Sequence, residues 1–442
     1  MKDRLWVGYA RCDITPEQPV PLDGYGNNVM RTTDHVLDPL YVSCIAFRLG
    51  NKTVLLYTQD LLNTKWILLP EARKQITEAT GVPSEDIFLC STHTHSGPDV
   101  NGGTPGVEAF LKKYWTAVAE AGKMAIADLA PAQLYGASTV LEGMNFVRHY
   151  LMNDGTYAGS NFGSRASGIK CHAAANDPKM RLIKIVREEK KGILLMNWQA
   201  HPCFTGSSTK TDISADYIGA VRKRFEEETG MLFAFFQGPA GNQTTGSWIE
   251  AEHHGLDCAQ YGDKLAQTAI TLLPQMQKLD SSVLQTYRCF PEADVNHDDV
   301  EMLEVAQQVV NLWRETKDRD AGNLLARSKG LTSVYHATTV IARSQRPARM
   351  KMELNAVRVG DMAFVTCPYE MFAVNGKYIK DNSPFKNTLI CTCTNGDFVY
   401  VPSKEAFDYG CYERSVAYFD RGTGELAAET FVQMLKKLEE NL

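Results

Sequence analysis

Apolar positions along the chain follow two alternating rhythms, short runs of apolar and β-branched residues closed by turn residues, and longer stretches with helical spacing. The first rhythm predicts strands at 6–16, 40–49 and 53–60, with Gly50-Asn51-Lys52 as a hairpin turn between the last two. It recurs in the run Ile87-Phe88-Leu89 that stops at His93, and at 133–141, 180–188, 192–199 and 231–236. The second rhythm predicts a helix at 65–81, where Ile67, Leu68, Ala72, Ile76 and Ala79 share a face ahead of Gly81. Further helices are expected at 108–129, 216–229, 252–276 and 298–321. The final part reads as strands at 333–344, 350–359, 362–367, 389–393 and 398–401, closed by a helix at 425–440. Between 143 and 179 the periodicity lapses into Gly, Ser, Asn and Ala, as in a long functional or mobile loop.

Helix and strand alternating in this way predict an α/β protein, a large mixed β-sheet body flanked by helices. At 442 residues the chain exceeds one ordinary hydrophobic core, so it is read as a single elaborated unit over 1–442 with room for a change of subdomain near 275–300. Hydrophobic residues at 44% and charged residues at 22% fit a soluble globular protein. A net charge of -6 with no block of Lys or Arg excludes a nucleic-acid footprint. No stretch has the length and apolarity of a membrane span. The start, Met1-Lys2-Asp3-Arg4-Leu5-Trp6, lacks the apolar core of an export signal, and a cytoplasmic location is expected. Eleven cysteines, among them Cys44, Cys90, Cys391 and Cys393 in apolar segments, are read as reduced thiols acting as small hydrophobes.

Candidate chemistry gathers where apolar runs end. His93-Thr94-His95 closes one of them, and in an extended chain residues two apart point to the same side, so both imidazoles can face one pocket. The plain alternative is a pair of loop histidines satisfied by hydrogen bonds. His201 closes the run 192–199, and Glu370 follows the run 362–367. An open α/β sheet collects its ligands at such strand ends. Two or three imidazole nitrogens with one carboxylate suit Zn²⁺ better than Mg²⁺ or Ca²⁺. Asp60 either orients a ligand histidine or caps the helix that follows it. The small-residue loop from Gln237 to Gly246 either brings backbone N–H groups close to a substrate or is a plain turn. His253-His254 would diverge on a helix, so no joint metal site is expected there.

Several motifs in this order resemble the neutral (alkaline, non-lysosomal) ceramidase family. They are Cys90-Ser91-Thr92-His93-Thr94-His95-Ser96-Gly97-Pro98, Asn197-Trp198-Gln199-Ala200-His201-Pro202, Ile213-Ser214-Ala215-Asp216-Tyr217 and Gln237-Gly238-Pro239-Ala240-Gly241, after Asp13-Ile14-Thr15-Pro16 and Leu22-Asp23-Gly24-Tyr25. The likeness covers most of 5–250 and, more thinly, 350–420. It implies a ceramidase-like catalytic domain without the family's carboxy-terminal immunoglobulin-like domain. It also implies a zinc amidase whose Zn²⁺ is held by His93, His201, Glu370 and Tyr400, with His95 as proton shuttle. Tyr400 and Tyr412, each followed by the family's pattern, keep its tyrosine spacing, which carries an oxyanion-stabilising role to Tyr412. Arg148 matches the arginine that polarises the amide carbonyl, although Val147 stands where the motif has asparagine. Gly241, Asn242 and Thr244 fall on the substrate-binding loop, where an amide replaces the family's acid and threonine its serine.

The functional expectation is a zinc-dependent hydrolase in which activated water attacks the amide (N-acyl) bond of a small soluble substrate. Homo-oligomerisation is left open. Two alternatives stand beside it. One is a catalytically altered family member that binds a ligand without turnover, motivated by Asn242 and Thr244. The other is a metal-dependent lyase or isomerase acting on a small polar substrate.

Overall fold

A computed structural model describes residues 4–25, 31–101, 103–159, 167–207, 210–249 and 255–440; His253-His254 and part of the 143–179 stretch lie outside them. The first sheet contains β1 (Trp6–Asp13), β2 (Tyr41–Leu49), β3 (Lys52–Gln59), β4 (Ile87–Ser91), β5 (Ala130–Val140), β6 (Lys179–Arg187), β7 (Lys190–Trp198) and β8 (Leu232–Gln237). Its spatial order is β8-β7-β6-β5-β1-β2-β3-β4, with the short β9 (Gln277–Leu279) paired to β5. A second sheet runs β10 (Leu284–Cys289), β11 (Leu354–Val359), β12 (Met362–Thr366) and β13 (Asn387–Cys391) in that order.

The two sheets stack face to face because their strands are apolar on both sides. Val54, Leu56, Phe88, Ile183 and Phe236 of the first sheet meet Val357, Phe364 and Leu389 of the second. The alternate residues of the same strands point the other way. Leu55, Tyr57 and Leu89 pack under α1 (Leu69–Thr80) and α2 (Pro105–Ala127). Leu194, Trp198 and Phe235 pack under α3 (Tyr217–Thr229) and α4 (Cys258–Leu272). Beyond β9 the chain adds α5 (Leu303–Thr316), α6 (Arg319–Ser328) and α7 (Val334–Ser344), which share a small core of their own. Ala356, Val365 and Ile390 on the outer side of the second sheet pack against α8 (Ala373–Asn382) and α9 (Thr423–Glu440). The result is four layers, helix, sheet, sheet, helix, an elaboration of the single flanked sheet expected from the sequence.

One unit recurs in this architecture: an antiparallel hairpin, a helix, and a strand laid parallel to the second arm of the hairpin. It is built by β2-β3-α1-β4, by β6-β7-α3-β8 and by β11-β12-α8-β13, giving the parallel pairs β3·β4, β7·β8 and β12·β13. The tight hairpins depend on left-handed turn residues. At Gly360, φ is +60° and an added Cβ would lie 1.8 Å from the Asp280 carbonyl oxygen, so no side chain fits.

Four expectations are corrected. Residues 333–344 form helix α7, not a strand: Ser333 caps it by accepting the His336 N–H at 3.1 Å, and Val334, Ala337 and Val340 turn toward α5. The 298–321 helix is two helices, broken where Lys317 takes φ +57° and Asp318 caps α6. The 143–179 stretch holds the short strands Phe146–Val147, His149–Met152, Tyr157–Gly159 and Ile169–His172. Asp60 neither caps a helix nor touches a histidine; it is wholly buried and accepts from Arg222 at 2.8 Å and from the Tyr41 N–H at 2.9 Å. All eleven cysteines are free thiols. No helix among the described residues is long and apolar enough to cross a membrane.

Candidate metal centre

Each parallel strand pair delivers residues of the site just beyond its carboxyl end. β4 stops at Ser91, and His93 takes φ +69°, a left-handed conformation costly for a residue with a Cβ. Strand alternation therefore does not aim His93 and His95; a left-handed turn does, and it brings their rings to 5.0 Å, edge to face. His201 follows β7 and brings its ring to 4.9 Å from His93 and 5.4 Å from His95. Glu370 follows β12, and Glu370–Met371 pairs in parallel with Tyr400–Val401 beyond β13.

Hydrogen bonds fix which ring nitrogens face inward. His93 Nδ1 lies 2.8 Å from the Leu62 carbonyl oxygen, and His201 Nδ1 lies 2.7 Å from that of Ala240. A carbonyl only accepts, so each Nδ1 carries a proton, and each Nε2, when unprotonated, presents a lone pair inward. Those two Nε2 atoms are 3.3 Å apart, and Glu370 Oε2 lies 3.1 Å from one and 3.0 Å from the other. Three nitrogen and oxygen atoms thus converge in a buried place where, among the described residues, no donor is aligned on Glu370 Oε2. A tetrahedral zinc with ligands at about 2.0–2.1 Å holds those ligands roughly 3.3 Å apart, so the triangle fits such a cation. His95 also belongs to the cluster: one nitrogen from each of His93, His95 and His201 lies within 4.8 Å of the others. Both of its ring nitrogens are buried without a hydrogen-bond partner among the described residues.

Without a cation the charges adjust to one another. Burial opposes ionisation of Glu370, yet the His93 charge holds its carboxyl well below the usual range. Burial likewise opposes protonation of His93, yet Glu370 and Cys393 hold it well above the usual histidine range. Burial and Arg148 push His201 down to about 4, and burial with its two histidine neighbours pushes His95 well down.

A second buried network flanks the triangle. Arg148 donates through Nε to Glu413 at 2.8 Å and through Nη2 to the Gly241 carbonyl at 2.9 Å and the Tyr400 hydroxyl at 3.1 Å. His149 Nε2 meets the other Glu413 oxygen at 2.6 Å. Burial alone would raise the Glu413 pKa, but His149 and Arg148 bring it down to about 2. The Tyr412 ring lies 5.7 Å from that of Tyr400 and 6.0 Å from that of Tyr335 on α7. In the small-residue loop, an added Cβ at Gly241 would lie 2.7 Å from the Glu370 carbonyl oxygen, so glycine is needed for the close approach. The Asn242 side chain holds the Ala373 N–H at the start of α8 at 2.9 Å, a scaffold contact. Thr244 pairs with Phe146 and bridges to His201.

His93, His95, His201, Glu370, Tyr400, Arg148, Tyr412, Gly241, Asn242 and Thr244 thus all lie in one region. Sequence reasoning missed Glu413, His149 and Tyr335. Glu413 directly follows Tyr412, but nothing in spacing announces a partner 265 residues away. Tyr25 belongs to the opening glycine motif, and its ring packs on the edge of His95 at 5.1 Å.

No protein-family model and no curated protein matches the chain. Among solved structures, the neutral ceramidase of Pseudomonas aeruginosa is similar, with a TM-score of 0.75 at 16% identity over 100% of this chain and 75% of that one. A ceramidase complexed with C2 is similar with a TM-score of 0.73 at 17% identity over 99% of this chain and 76% of that one. Across its whole length, therefore, this chain has the neutral-ceramidase fold.

Proposed function

We propose that the protein is a zinc-dependent amidohydrolase acting on the N-acyl bond of a small soluble substrate, with zinc held by His93, His201, Glu370 and Tyr400. One observation carries this reading: two imidazole Nε2 atoms and a carboxylate oxygen, from three distant parts of the chain, converge at 3.0–3.3 Å in a buried place. Bound there, zinc would supply Lewis acidity and bring the pKa of water toward about 7. The ceramidase fold supports amide hydrolysis as the reaction.

The remaining roles belong to the chain. Water adds to the amide carbonyl carbon, and the carbonyl oxygen gains negative charge. Tyr412 donates its hydroxyl proton in a hydrogen bond to that oxygen, and the buried Arg148 guanidinium lowers the local potential while orienting the Tyr400 hydroxyl. His95, whose nitrogens have no hydrogen-bond partner among the described residues, takes a proton from the water and gives it to the amine nitrogen as the C–N bond breaks. The Gly241-Asn242-Gln243-Thr244 loop forms the wall behind His201.

The test is turnover by zinc-loaded protein on a panel of water-soluble N-acyl amines and N-acyl amino acids, read as release of free amine. Amine release that stops on chelation and resumes with added zinc is expected. A zinc-loaded protein that cleaves none of the panel, and instead eliminates or isomerises a small polar substrate, would overturn the amidase assignment.

A further inference from the structure

Among the described residues, Arg181 is a buried cation without a hydrogen-bond or ion-pair partner. It lies in β6 opposite Ser138 and Asn197 and shares a side of the strand with Ile183, at the rim of the core between the sheets. Its residue exposure is 6%, and its Nε and Nη1 find no hydrogen-bond partner. An unpaired guanidinium is among the most expensive groups to remove from water, and its fork of N–H donors matches a carboxylate or tetrahedral oxyanion.

Its surroundings do not neutralise it. Arg181 lies close enough to Lys380 of α8 to lower that lysine's pKa. Lys380 Nζ donates to Asp177 at 2.7 Å and to Gln199 Oε1 at 3.3 Å, which leaves one of its three N–H groups. Asp177 is already matched by that lysine, and Asp381, the other acid near Arg181, is exposed and paired with Lys377 at 2.5 Å. Burial lowers the pKa of Arg181 and takes that of Lys380 to about 8, as expected when cations outnumber the anions available to them.

We propose that Arg181 and Lys380 form a second ligand site that takes a small oxyanion, phosphate, sulfate or carboxylate, between β6 and α8. The site is separate from the histidine cluster but joined to it. Asn145 Nδ2 donates to the Asp177 and Gln199 carbonyls at 2.8 Å each, the Asp177 N–H donates to Gln243 Oε1 at 2.8 Å, and the Gln243 carbonyl accepts from the His201 N–H at 3.1 Å. An anion on Arg181 therefore sits behind the scaffold that holds His201.

The experiment is thermal unfolding and calorimetric titration of the full chain with sodium phosphate, sulfate and acetate against sodium chloride at matched ionic strength. Wild type is expected to gain a few degrees in Tm, saturably, with phosphate or sulfate marking a tetrahedral ligand and acetate a carboxylate. Arg181→Met is expected to lose that gain while melting at or above wild type in chloride, because an unpaired buried charge has been removed. Arg181→Lys, which keeps the charge and loses the fork, is expected to bind about tenfold more weakly, and it decides the matter if the Met variant does not fold. No saturable gain in wild type, or equal gains in wild type and Arg181→Lys, would overturn the site.

Discussion

His95 separates two kinds of contribution at the residue scale. His93, His201 and Glu370 are committed by their contacts to one small triangle, whereas the nitrogens of His95 hydrogen-bond to none of the described residues. Substituting His95→Asn is therefore expected to leave zinc content unchanged and to slow amide turnover by roughly 10²–10⁴-fold, the usual contribution of a positioned acid–base group. Gly241→Ala tests the close approach to Glu370. Its Cβ meets backbone oxygen rather than a flexible side chain, so a loss of roughly 1–3 kcal/mol in urea unfolding is expected. Glu413 tests the network around Arg148. Its folded pKa of about 2 lies below its usual 4.5, so its stabilisation is complete above about pH 4.5 and is lost as the pH falls toward 2. Stability should fall by something on the order of 3 kcal/mol across that window, at about 1.4 kcal/mol per pH unit, and Glu413→Gln should flatten the fall, as measured by urea midpoints. Residue types at strand ends were readable in the sequence because each apolar run stops near turn residues, Ser96-Gly97-Pro98 after His95, Pro202 after His201 and Pro368 before Glu370. The left-handed backbone of His93 and the Arg148–Glu413 pairing were not, since each is imposed by contacts distant in sequence.

Element by element, legibility followed burial. The hairpins and the amphipathic α1, α2 and α3 were plain from periodicity, because each has one face on a sheet and one in water. Helix α7 was misread as a strand because Thr338-Thr339-Val340-Ile341 has β-like composition, and packing against α5 decides otherwise. That misreading hid the element that brings Tyr335 to Tyr412. It also hid Arg343, wholly buried on α7, which donates to the carbonyls of Arg414, Ser415 and Ala417 at 3.2, 3.0 and 3.0 Å. These carbonyls close the short helix Tyr412–Val416 that carries Tyr412 and Glu413. Arg343→Met would take this donor from the buried Ser415 and Ala417 carbonyls, the Arg414 carbonyl keeping the Ala417 N–H at 3.2 Å, and a stability loss of roughly 2–4 kcal/mol in urea unfolding is expected, with weaker packing of Tyr412.

For the whole molecule, three copies of one hairpin-helix-strand unit place their parallel strand pairs so that residues after β4, β7, β12 and β13 meet. The sequence announced an α/β body but not that its strands divide between two stacked sheets. Strands buried on both sides look alike whichever sheet they join. The proposed zinc centre is the point at which those units are tied together, so metal removal is expected to destabilise the entire fold, by about 2.7 kcal/mol for a free zinc concentration a hundredfold above its Kd. The central claim is that one cation joins His93, His201 and Glu370, and the most direct measurement is the metal content of purified protein by mass spectrometry. About one zinc per wild-type chain is expected, retained in His95→Asn and lost to roughly a tenth or less in His93→Ala, His201→Ala and Glu370→Gln. Wild-type protein that takes up no zinc when it is supplied, or His93→Ala and His201→Ala proteins that keep a full complement, would contradict it.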